Sequence, residues 1–155
     1  MNKTIAALYG IFFGLLTAAA FGLLDYGTSL LYPSATKAVV FDQQDKIAYM
    51  FGAVLFAPLF ETLIFQMGII ELANHWFKER RRLSLVLSTL LFSALHLFNS
   101  ATQARNMIFF GAVMAMIYGA FRKHSVAHAF VATFATHTTH NLLLVLAAIL
   151  FPQLA

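Results

Sequence analysis

The chain has 155 residues, of which 61% are hydrophobic and 10% charged, with seventeen Phe and a net charge of +4. That leaves too little polar surface for a soluble globule and too much apolar content for a disordered chain. Cysteine is absent, which excludes disulfides and thiolate metal sites.

Several apolar runs approach the roughly 20 residues a helix needs to cross a bilayer. The pattern predicts an all-α, polytopic membrane helix bundle, without the alternation of an outer-membrane barrel. The first span covers about Thr4 to Leu24. Lys3 precedes it and small residues follow, as in a signal peptide, but the run is long for one and more membrane protein follows, so a retained span is expected. The polar stretch Asp25 to Asp45 is expected to be a loop with at most a short interfacial helix. A second span, about Lys46 to Leu72, carries Pro58 and Glu61. The compact basic loop "NHWFKERRRL" then places Trp76 as an interface anchor. The third span runs from about Leu83 to Phe98 and the fourth from about Asn106 to Phe121. Val126 to Phe151 has no Gly or Pro and is expected to be one helix. Five spans result, or six if the last breaks near His137.

The bases sit mostly in the short connections, which points to membrane orientation rather than to nucleic acid, and no nucleic-acid partner is expected. With the N-terminus in the cytoplasm, the inner side holds Lys3, Lys78, Arg80, Arg81, Arg82, Arg122 and Lys123. The outer side holds Lys37, Lys46 and Arg105, so seven against three favours that orientation in a cell membrane. No repeat or linker divides the chain, so a single domain over 1–155 is expected.

A carboxylate inside a membrane helix costs on the order of 3 kcal/mol and normally faces the bundle interior with a partner. Glu61 is the ionisable group of the stretch "FAPLFETLIFQMGII". Its possible partners are His96 in "FSALHLF" and His137, His140 and Asn141 in "HTTHN". His137 and Asn141 are four apart and project from one helix face, with His140 close to it. Glu61 and His137 both fall near the middle of their spans, so their depths match. His128, nine residues before His137, faces elsewhere, and Glu71, at a helix end beside the basic loop, reads as structural. Converging Glu, His and Asn side chains could hold a water, remove its proton and donate to a developing oxyanion. The same Glu and histidines could instead bind zinc, although no His-Glu-x-x-His pair is present. A proton relay is another use of such residues, made less attractive by the lack of a second half.

Three segments in this order, "ETLIFQ" (61–66), "FSALH" (92–96) and "HTTHN" (137–141), resemble the motifs of the CAAX-protease and bacteriocin-processing (CPBP) family, which includes Rce1-like prenyl-protein endopeptidases. That family carries Glu-Glu-x-x-x-Arg, Phe-x-x-x-His and His-x-x-x-Asn or Asp. The resemblance covers about 90 of the 155 residues, within a protease-like helical core at 46–151. Thr62 stands at the second Glu of the first motif and Gln66 at its Arg. The resemblance implies a glutamic-type intramembrane endopeptidase acting on a membrane-anchored protein or peptide. It implies Glu61, His96, His137 and Asn141 as catalytic residues, with Thr62, Gln66, Phe92 and His140 in support. Glu61 would be the base toward water, His96 would position it, and His137 with Asn141 would stabilise the oxyanion, without a metal cofactor. The altered first motif suggests a small subgroup that trims C-terminal membrane tags. The alternative is an inactive family member serving as a membrane immunity or scaffold protein.

Overall fold

The computed structural model describes residues 1–31, 46–78 and 80–151. Every regular element among them is helical, and five helices are long and apolar enough to cross a membrane. The protein is a multi-pass membrane protein. We label the helices α1 (Lys3–Leu31), α2 (Ile47–Trp76), α3 (Arg81–Leu95), α4 (Ala101–Arg122) and α5 (Val126–Leu150). The last span is unbroken at His137, so the count is five. The first helix runs on to Leu31, past the expected boundary at Leu24, so residues 25–31 are helix rather than loop. The remainder of the expected loop lies outside the described residues.

Local chemistry explains the helix ends. Ser100 and Ser125 cap α4 and α5, their hydroxyls accepting from the amides of Gln103 and His128. The end of α3 tightens into a 3₁₀ turn over His96–Phe98, one turn before the Ser100 cap. Helix α2 is the irregular one, since two stretches, Gly52–Phe56 and Thr62–Ile69, are wound as π-helix around a short α-helical piece that contains Pro58. Such widened turns in membrane helices are frequent at functional sites.

Side-chain bonds fix the packing directions. His128 bonds the Met1 carbonyl and His140 meets Thr17, so α1 and α5 run parallel. Arg81 donates to the Gly119 carbonyl and the Ser93 hydroxyl to that of Ala104, so α3 and α4 run antiparallel. Helices α1 and α5 make the closest approach. A Cβ on Gly14 would lie 2.7 Å from the Thr136 carbonyl oxygen, and one on Gly10 would overlap that of Ala132. Only glycine admits that contact, in a Gly-x-x-x-Gly spacing suited to membrane helix pairs. The core has a layer of three rings, Phe21, Phe92 and Phe110, packed with Met114, and a second of Ile70, Ala115, Tyr118 and Ala129 nearer the ends of α2 and α4. Large side chains such as Phe12, Phe60, Ile64 and Phe109 face outward, as lipid contact requires.

Candidate active site

Helices α2 and α5 cross face to face where the sequence places Glu61 and His137. Glu61 Oε2 lies 3.5 Å from His137 Nε2, and Thr62 Oγ1 lies 3.5 Å from His137 Nδ1. A carboxylate accepts, so in this arrangement Nε2–H points at Glu61 and Nδ1 is left to accept from the Thr62 hydroxyl. Both distances are at the long limit for hydrogen bonds, as is common in enzymes without bound substrate. The His137 side chain is 3% exposed and that of Glu61 19%, so the imidazole is sealed while the carboxylate is only partly covered by the protein.

Phe92, fully buried on α3, joins the third motif residue to this pair. Its ring centroid is 4.9 Å from that of His96 and 5.9 Å from that of His137. His96 Nδ1 lies 2.9 Å from the Phe92 carbonyl oxygen. A carbonyl can only accept, so Nδ1 carries the proton and Nε2 presents a lone pair. Phe92 thus orients His96 through its backbone and packs His137 through its ring.

Asn141 is held by an interaction the sequence did not announce. Its Nδ2 donates to the Ala53 carbonyl at 2.8 Å. In the first π-turn the Ala57 amide bonds the carbonyl of Gly52, five residues back. The next donor in that ladder would come from Pro58, which has no N–H. The carbonyl five residues before Pro58 belongs to Ala53, and Asn141 supplies the missing donor. One amide hydrogen of Asn141 is spent this way and the second is left over.

The other supporting residues divide. Gln66, fully buried, has no hydrogen-bond partner among the described residues for either amide atom. It lies about one turn along α2 from Thr62, and Thr133 lies one turn back along α5 from His137. Since these helices run antiparallel, Gln66 and the equally unpartnered, fully buried Thr133 share a level below Glu61. His140 turns toward α1. Thr17 donates to the Gly14 carbonyl at 3.0 Å, so its oxygen accepts from His140 Nδ1 at 3.2 Å, while Phe110 stacks on the imidazole at 4.1 Å. Glu71 is structural, bonded by Arg122 at 2.5 and 2.9 Å and by the Tyr118 hydroxyl at 2.9 Å. His128 sits at the start of α5 with Ser125. Among the described residues, no three His or carboxylate side chains are grouped closely enough to share a metal ion.

The order of the three motifs, their helices and the Glu61–His137 contact agree with a match to the family model for type II CAAX prenyl endopeptidase Rce1-like, over residues 43–143. The chain belongs to the Rce1-like family. The family is one of CAAX-type membrane proteases, and a membrane-associated protein substrate fits the spanning helices. The match takes in α2 to most of α5 and ends two residues after Asn141, leaving α1 outside it. No curated protein and no solved structure matches the chain.

Proposed function

We propose that this protein is an intramembrane endopeptidase that hydrolyses a peptide bond of a membrane-anchored substrate by carboxylate-activated water, without a metal. The observation that carries this reading is the opposition of Glu61 and His137 at 3.5 Å, midway along two spanning helices, with the carboxylate partly open and the imidazole sealed. A structural ion pair would be a costly choice at that depth, whereas a hydrolase needs a base there.

Glu61 Oε1, the oxygen not facing His137, takes the proton from a water. The His96 Nε2 lone pair accepts the other hydrogen of that water and holds it in line with the scissile carbonyl. As the hydroxide attacks, negative charge develops on the carbonyl oxygen. We assign that oxygen two donors, His137 Nε2–H, which Glu61 releases once its carboxylate is protonated, and the second amide hydrogen of Asn141, and such a donor lowers a barrier by about 3 kcal/mol. Glu61, now protonated, returns its proton to the leaving amine. Thr62 fixes the His137 tautomer, so the Thr at this position has a use that the family's second Glu would fill differently. The excess of bases at one end of the bundle sets the N-terminus in the cytoplasm of a cell membrane.

The test is cleavage of membrane precursors in cells carrying wild-type protein or Glu61→Gln at matched abundance. Precursors should accumulate uncut with Glu61→Gln, and retained processing would remove Glu61 from the mechanism. Purified active protein should hold substoichiometric zinc and keep its activity in chelator. Loss of activity with chelation, restored by zinc, would replace the carboxylate–water mechanism by a metal one.

A further inference from the structure

Helices α3 and α4 share a feature that peptide hydrolysis does not use. At the start of α3, Arg80, Arg81 and Arg82 surround a surface depression. From it a groove of about 460 Å³ runs into the spanning region. Leu85, Val86 and Leu90 of α3 form one wall, and Ile108, Ala112 and Met116 of α4 the other. Arg82 and Leu85 line both the depression and the groove, so the basic end and the apolar channel are continuous.

The bases at that end outnumber the acids. Residues 78–82 hold Lys78 and three arginines against one acid, Glu79. Arg81 is turned onto the Gly119 carbonyl. Among the described residues, no carboxylate pairs with Arg80 or Arg82, and Glu71 is already committed to Arg122 and Tyr118. An occupant of the whole feature therefore needs a negative head and an apolar tail. Length narrows it further. From Arg82 to Leu90 a helix rises about 12 Å, close to the ~15 Å depth of one leaflet. That suits a single acyl chain rather than a helix or an extended peptide. The walls also differ from ordinary lipid-facing surface, because the small Ala112 leaves a recess between larger neighbours.

We propose that the α3–α4 groove binds one anionic phospholipid of the leaflet at the basic end. Its phosphate rests on Arg82 with Arg80 beside it, and one acyl chain lies along Leu85, Leu90 and Ala112. Basic clusters at the ends of spanning helices select anionic head groups in this way. The site is separate from Glu61, so the proposal stands or falls without the peptidase reading.

The experiment is native mass spectrometry of the full chain released from micelles containing phosphatidylglycerol and phosphatidylcholine with the same acyl chains. Wild-type protein should retain one phosphatidylglycerol in preference to phosphatidylcholine. Arg82→Gln should weaken that retention about fivefold, the equivalent of ~1 kcal/mol for one base at an anionic surface. Ala112→Leu, which fills the recess and keeps every charge, should weaken it at least as much. Met116→Trp, at an exposed position on the rim, covers the case in which Ala112→Leu does not fold. Lys123→Gln removes a base from the same end but away from the groove, and should change nothing. Equal retention of the two lipids, or an equal effect of Lys123→Gln, would overturn the proposal in favour of diffuse attraction. Competition by inorganic phosphate or an acidic peptide as effective as by lipid would overturn it in favour of a headgroup-only anion site.

Discussion

Asn141 shows how one residue can have two physical assignments that a sequence motif does not separate. The motif spacing points its side chain at the reaction, yet its Nδ2 fills the hydrogen bond that Pro58 cannot make to Ala53. Ala53 is half-buried, and a carbonyl left without a donor at membrane depth costs about 1 kcal/mol, the lower end of the range for unmet polar groups. Asn141→Ala should therefore lower stability in micelles by about 1 kcal/mol. Pro58→Ala restores a backbone N–H to the α2 ladder, so Asn141→Ala made in that background should cost markedly less. Strict additivity of the two changes would refute the pairing, since coupling is what a shared hydrogen bond produces. Gln66 gives the opposite sign. Both of its amide atoms are buried without a partner among the described residues, so Gln66→Leu removes an unmet desolvation cost and should raise stability by about 1–3 kcal/mol. A fall in thermal unfolding temperature instead would mean that Gln66 has a partner the described residues do not supply.

At the scale of helices, α1 is held to α5 by close backbone approach rather than by large side chains. Gly14→Ala puts a methyl group 2.7 Å from the Thr136 carbonyl oxygen and 2.6 Å from the Thr139 Cβ. The helices must separate, at about 1–3 kcal/mol for overpacking, and the Thr17–His140 contact should loosen with them. Thermal unfolding of Gly14→Ala should drop by several degrees, while Gly22→Ala on the same helix, where a Cβ meets nothing within 4 Å, should be neutral. This interface also marks the boundary of what could be read from the sequence. Span number, order and the opposition of Glu61 with His137 were legible, because apolar run length and matching depth are properties of the chain itself. The π-turns of α2 were not, because a widened turn leaves no hydropathy signature and the Pro58 that accompanies it is equally compatible with a kink. The Ala53 carbonyl acceptor was invisible for the same reason, being backbone. Thr17 was missed although signals existed. A hydroxyl in an apolar span, three residues beyond a Gly-x-x-x-Gly spacing, marks a helix face that packs. The inward tilt of His140 toward α1 follows only once that face is known.

For the molecule as a whole, the helix directions set by side-chain bonds place the starts of α1, α3 and α5 together with the ends of α2 and α4. That end gathers Lys3, Lys78, Arg80, Arg81, Arg82, Arg122 and Lys123, while the Arg105 end is sparsely charged. An asymmetry of this size in short loops favours an orientation with the basic end in the cytoplasm, which is the expectation to test. The sequence contains no cysteine, so single reporters can be introduced against a silent background. In intact cells, a Cys replacing Ser100, next to the 3₁₀ turn at the far end of α3, should react with a membrane-impermeant maleimide. One replacing His124, in the α4–α5 turn, should react only after the cells are opened. The opposite pattern would reverse the orientation and carry the His96 end of α3 to the inner side. His96 sits at the end of α3 away from the arginines, so in the expected orientation the histidine proposed to position water lies toward the outer face. On the proposed function, a scissile segment on that side of the membrane is then expected to be within reach. A reporter precursor with its scissile segment on the outer side should be cut, and the same segment grafted to the cytoplasmic side should remain whole.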